Sequence, residues 1–189
     1  LIRVPKGRVD KAAVLAGSLA KRRSLVHVRF DTAPLRQAIE DAPAPDVYVA
    51  EHSYMAESLL RTRRVDEAGF VVNTINTESQ VWLSTRGALG RIEAPRLLRD
   101  EIRVAHRADA VGCYEIEEAQ MYRDEGVPGA RFMEVTLPPK TQIDVSSSPR
   151  RLVFMGIRDW PPNQEAFLIA LRLWPRISAG IPDAELCII

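Results

Sequence analysis

The chain has 189 residues, 46% hydrophobic and 27% charged, which is ordinary globular usage, and no apolar run approaches the ~20 residues needed to span a bilayer. That excludes a membrane-spanning chain. A net charge of +1 with interspersed signs speaks against a dedicated nucleic-acid binder.

In chain order, Leu1 to Val4 reads as the tail of a strand, and with leucine rather than methionine first the start is expected to be truncated. Apolar residues at three- and four-residue spacing predict helices over Val9 to Arg22, Pro34 to Asp41 (with Thr32 as its start), Tyr54 to Arg63 and Ile92 to Arg107. Between them, Ser24 to Phe30, Asp46 to Ala50, Gly69 to Ile75, Ala110 to Cys113 and Ala130 to Val135 read as strands. Glu115 to Asp124 reads as a further helix, ended by Gly126. This alternation is the pattern of repeated βαβ units, hence of a parallel sheet covered on both faces.

Pro138 to Pro149 has no periodicity and ends in Ser-Ser-Ser-Pro, so a linker is expected there. The expected organisation is a Rossmann-like domain over 1–139, a linker over 140–149, and the beginning of a second such domain over 150–189. That second part opens with an apolar run, Leu152 to Met155, then Gly156, a Trp160-Pro161-Pro162-Asn163 turn and a helix over Gln164 to Ile177. Phe167, Leu168, Leu171 and Trp174 are its expected core face. The chain then stops inside an apolar segment, Glu185 to Ile189, so its end is also expected to be truncated.

Two basic clusters, Lys21-Arg22-Arg23 and Arg61 to Arg64, are expected to be solvated helix ends where cations complement the helix dipole, with phosphate or an anionic membrane as the alternative partner. Cys113 and Cys187 lie in or beside strand-like segments without Cys-x-x-Cys spacing, which suggests reduced core thiols and a cytoplasmic location. His27, His52 and His106 are scattered without metal-ligand spacing.

Residues 150–189 resemble the opening of the second domain of retaining glycosyltransferases with two Rossmann-like domains (the GT-B type), in particular family 4, also called group 1, where a strand ending in F-x-G precedes a D-W/Y-x-P-N turn. Asp46 to His52, Val71 to Glu78, Glu101 to Val111 and Gly126-Val127-Pro128 fall in the order and spacing of that family's first domain. Three positions depart from the pattern. Ile75 stands where the family's His-Asn-x-Glu turn carries a histidine that often contacts the transferred sugar, Tyr114-Glu115 replaces a serine, and Leu137-Pro138-Pro139-Lys140-Thr141 replaces a P-N-G-V-D turn.

The resemblance implies transfer of a sugar from a nucleotide-sugar donor to an acceptor hydroxyl, on a sugar, a lipid-linked or another acceptor, with retention and without a metal or other cofactor. Polysaccharide or glycoconjugate biosynthesis is the implied setting, with peripheral contact at the inner face of the cytoplasmic membrane. In parallel α/β sheets ligands bind beyond the carboxyl ends of strands, so the candidate residues follow strands. On the donor side they are Gly156, where a phosphate or sugar could approach closely or the chain simply turns; Arg158, whose guanidinium suits a departing diphosphate; and Asn163, whose alternative role is a helix cap. On the acceptor or cleft side they are Glu51, His52, Asn76 and Glu78. Their alternatives are a surface-loop position for His52, a cap for Asn76 and helix-dipole stabilisation for Glu78. Glu101, Asp109 and Trp160 are expected to be structural.

The family's two donor-binding glutamates belong beyond Ile189, so this chain is expected to be inactive alone. Two other readings remain: a non-catalytic binding protein on a degenerate fold of this type, and another nucleotide-binding Rossmann enzyme. The second is disfavoured because no strand leads into Gly-x-Gly-x-x-Gly.

Overall fold

The computed structural model describes residues 4, 9–134, 141, 144, 146 and 148–189. The chain divides into two compact units, Leu1–Thr136 and Leu137–Ile189. Val4 has no regular structure, and the rest of the expected first strand, Leu1 to Arg3, lies outside the described residues, as do Val135 and half of the linker expected over 140–149.

The first unit begins with three helices, α1 (Lys11–Lys21), α2 (Leu25–Phe30) and α3 (Ala33–Asp41). Asp10 caps α1, its Oδ1 accepting from the amides of Ala12 (2.9 Å) and Ala13 (3.1 Å). The expected strand over Ser24 to Phe30 is α2 instead. Ser24 caps it by accepting from the His27 amide, and its inward residue, His27, is fully buried. Six residues are too few for the alternating and the helical period to be told apart.

Four parallel strands follow, β1 (Val47–Glu51), β2 (Gly69–Asn73), β3 (Ala110–Cys113) and β4 (Ala130–Phe132), in the spatial order β1-β2-β3-β4. Registers run Val47↔Gly69, Val71↔Ala110 and Val111↔Ala130. The fold is therefore a parallel, Rossmann-like α/β sheet. Phe70 and Val72 of β2 enter one core cluster with Ala56, Leu59 and Val104. Val111 and Cys113 of β3 enter a second with Ala119, Tyr122 and Ala130. Val104 and its neighbour Ala105 end α5 (Gly87–Ala105), so one helix closes both clusters. Burying side chains of this size stabilises by roughly 1.5–3 kcal/mol each, which makes these clusters the main support of the sheet.

Where a helix was expected over Tyr54 to Arg63, the chain makes three short 3-10 segments, Ser53–Glu57, Leu59–Arg61 and Arg63–Asp66. Ser58 Oγ donates to Phe30 O at the end of α2 and Thr62 Oγ1 to Leu59 O, so the hydroxyl at one junction ties the run to α2 and that at the other bonds a local carbonyl. A helix α4 (Glu78–Thr85), not among those predicted from apolar spacing though foreshadowed by the alternative helix-start role of Glu78, precedes α5, which starts five residues before the expected Ile92. Helix α6 (Ile116–Asp124) ends as expected before Gly126, whose φ is +82.

In the second unit, β5 (Arg151–Phe154) and β6 (Glu185–Ile188) pair in parallel, joined through α7 (Pro161–Ser178). The two prolines at its first positions start α7 earlier than expected, because a helix's first amides need no partner. Phe167 packs on Phe154 with centroids 5.6 Å apart, and Trp174 is half-buried. Leu168 and Leu171 are exposed, so the expected core face is only half realised.

Candidate functional site

The carboxyl ends of β1, β2 and β3 gather the polar residues of the first unit. Strand β1 ends at Glu51, and His52 then turns the backbone to φ 68 while its amide donates to Asn73 O at 2.7 Å. The turned ring of His52 stacks on Tyr54, with centroids 4.9 Å apart and 12° between planes, and Tyr54 leans in turn on Phe30. Strand β2 stops at Asn73, two residues short of the expected Ile75. The Thr74 amide reaches across to Gly112 O (2.9 Å), after which Ile75 adopts φ 61. Two adjacent strands thus end in non-glycine residues of positive φ, a strain found where a turn is over-determined by its surroundings.

Glu51 and Asn73 are joined, Asn73 Nδ2 donating to Glu51 Oε1 at 3.0 Å. His52 and Glu78 also meet, with Nδ1 3.6 Å from Oε1, just outside hydrogen-bond reach. The His52 Nδ1 atom is buried and has no hydrogen-bond partner among the described residues. Burial raises the Glu78 carboxyl above its ordinary value, with His52 and Arg86 pulling the other way. Burial, with Glu78 adding to it and Arg29 opposing, pushes Tyr54 up to about 12. The two strand ends thus set an imidazole and a carboxyl side by side. Asn76 is exposed on the same turn and joins neither pair; its amide bonds Thr74 O at 2.6 Å.

The turn is held from below by Glu118, which the sequence did not single out, and by Glu101 and Asp109, which were expected to be structural. Glu118 of α6 accepts from Thr74 Oγ1 (2.9 Å) and Thr77 Oγ1 (2.8 Å), which pins the β2–α4 loop to the next helix. Burial raises Glu118 against those two hydrogen bonds. Glu101 accepts from the Ser79 amide at 3.4 Å, so it serves the N-terminus of α4, where Thr77 makes no side-chain cap. Burial carries it to about 7. Asp109 accepts from the Phe70 amide at 2.8 Å, tying the entry of β3 to β2. Burial, then Glu118, pushes the Cys113 thiol up to about 11; both cysteines are free. These pairings span 22 to 44 residues of sequence, and no local spacing announces them.

In the second unit, Gly156 follows β5 and its amide reaches Ile189 O at 3.4 Å. A Cβ there would stand 3.0 Å from Asn163 Nδ2, so glycine admits the Asn163 side chain. Asn163 does not cap the helix. It sits inside the first turn of α7 and donates to Ile157 O at 3.1 Å, while Trp160 occupies the cap position with an exposed ring rather than packing against the loop. Arg158 is exposed, its guanidinium 5.5 Å from the Phe167 ring centroid. Among the described residues, no three His, Cys, Asp or Glu side chains gather as metal ligands, and no helix is long and apolar enough to cross a membrane. No family model, curated protein or solved structure matches the chain.

Proposed function

We propose that the chain is part of a retaining glycosyltransferase of the GT-B type, in which the first unit receives the acceptor and the second contacts a nucleotide-sugar donor. One observation carries this reading. The family-like motifs fall on the carboxyl ends of parallel strands in both units: Glu51-His52 after β1, Asn76 to Glu78 after β2, and Gly156 to Asn163 after β5. Those ends are where open parallel sheets bind ligands.

In this reading His52 and Glu78 grip and orient the acceptor hydroxyl. Arg158 leaves Phe167 to meet the negative charge that develops on the departing diphosphate. Gly156 lets the donor approach the backbone. Orientation and charge stabilisation then carry the transfer.

A second reading, a nucleotide-sugar-binding protein without turnover, is favoured by Ile75, an aliphatic side chain on the turn where the family presents a histidine. Saturation-transfer NMR with UDP-, GDP- and ADP-glucose tests both. Contact with at least one of them, lost in Arg158→Ala, is expected; no contact with any of the three overturns the proposal. Release of nucleoside diphosphate from a bound donor then favours the transferase over the second reading.

A further inference from the structure

Lys21 and Arg61, from the two basic clusters, stand at exposed helix ends as expected, but the two ends are not separate. Lys21 and Arg23, at the end of α1 and just after it, meet Arg61 from the 3-10 segments and Arg103 from α5 around one cavity of about 460 Å³. That volume falls within the ~300–1,000 Å³ of small-molecule sites.

The cavity wall is ordered by a polar network. Asp31 binds Lys21 Nζ (2.8 Å) and Arg61 Nε (3.3 Å), and Arg36 lies behind it. Asp100, beneath the wall, binds Arg23 Nη1 (2.9 Å) and Arg103 Nε (3.3 Å). Glu57 is held by Arg103 and by His27, whose Nδ1 lies 2.6 Å from Glu57 Oε1. His27 is fully buried, so the base of the cavity is a packed structure and not a chance grouping of surface chains.

Charge then decides what such a cavity can hold. Four cations and two carboxylates line it, and behind them Arg36 and Asp100 add one of each sign, which leaves two positive charges uncompensated. Like charges in a concave site focus the field and attract a compact anion. Donors also remain. Arg61 uses only Nε and Arg23 only Nη1 in side-chain bonds among the described residues, so each guanidinium keeps an N–H edge for a tetrahedral oxyanion. Asp31 is kept below its ordinary value: its burial would raise it, but Lys21, Arg61 and Arg36 outweigh that, so the wall keeps its ion pairs at neutral pH.

We propose that this cavity, whose lining residue His27 adjoins Ser53 and Tyr54 of the strand-end turn, is a binding site for the phosphate group of a small phosphorylated molecule, a proposal independent of the glycosyltransferase reading. A concave cavity suits a soluble phosphate better than the flat headgroup plane of a membrane.

The test is titration of the full chain with inorganic phosphate, followed by calorimetry and by amide chemical shifts of the 21–31 and 57–61 segments, beside sedimentation with vesicles of phosphatidylglycerol and phosphatidylcholine. Saturable phosphate binding is expected, weakened about tenfold in Arg61→Ala, as loss of a charge-assisted hydrogen bond implies, and unchanged in Arg107→Ala, an exposed arginine outside the cavity. Lys21→Ala, at another exposed position, gives a second measure should Arg61→Ala fold poorly. No saturable binding, equal loss in Arg107→Ala, or binding to the vesicles alone overturns the proposal.

Discussion

Ile75 holds a β-branched side chain at φ 61, a backbone that costs an ordinary L-residue roughly 1–2 kcal/mol, while its side chain remains 40% exposed. Little burial is lost on replacing it. Ile75→Asn, whose side chain tolerates this conformation, is therefore expected to stabilise the protein by about 1 kcal/mol in urea denaturation; a loss of stability shows that Ile75 is retained for packing. Glu101 gives a pH prediction. Its value of about 7 lies above the ordinary 4.5, so the folded state holds a proton that the unfolded state has released in that interval. The stability it contributes is complete below about 4.5 and is lost as pH rises through about 7. Glu101→Gln should thus unfold at higher urea than the parent at about pH 8, by an amount on the order of 3 kcal/mol, and with little difference at about pH 4. Of the residues gathered at the strand ends, Glu51, His52 and Glu78 were legible because they follow strand-like runs, whereas Asn76, chosen by the same rule, joins neither pair. Glu118 and Glu57 were not legible, since each acts through a partner distant in sequence.

At the level of elements, the most exacting junction is the corner between α4 and α5. A Cβ on Gly90 would stand 2.0 Å from the Trp82 carbonyl oxygen, backbone that cannot rotate away, so the corner closes only over glycine. Gly90→Ala is expected to destabilise the protein by about 2 kcal/mol in thermal or urea denaturation and to loosen α4, which carries Glu78. A neutral result would show that the two helices can part without cost. Strands β1, β3 and the helix α6 were readable from apolar runs and from Gly126. Helix α2 was not, because six residues beside a buried histidine satisfy either period. The 3-10 run was not, because Thr62 bonds the Leu59 carbonyl that a regular helix would use and Ser58 bonds the distant Phe30 carbonyl, neither of which apolar spacing reveals.

Across the molecule, stability is unevenly held. Among the described residues, all buried hydrophobic ones belong to the first unit, from Ala50 to Ala130, and none of 148–189 is buried. Backbone amides of β2 and β3 should exchange with deuterium at rates set by unfolding of the first unit, and those of β5 and β6 much faster. Equal protection in both units would mean that the second has support its own packing does not provide. The amino-acid sequence by itself determined the α/β class and the parallel connection of strands through helices, since apolar period and strand-bounding residues act over a few positions. Tertiary structure alone decided where β2 stops, which carboxyl groups are buried, and that Lys21, Arg23, Arg61 and Arg103 surround one cavity. Those outcomes depend on distances between residues far apart in the chain, and such distances exist only once the sheet has brought them together.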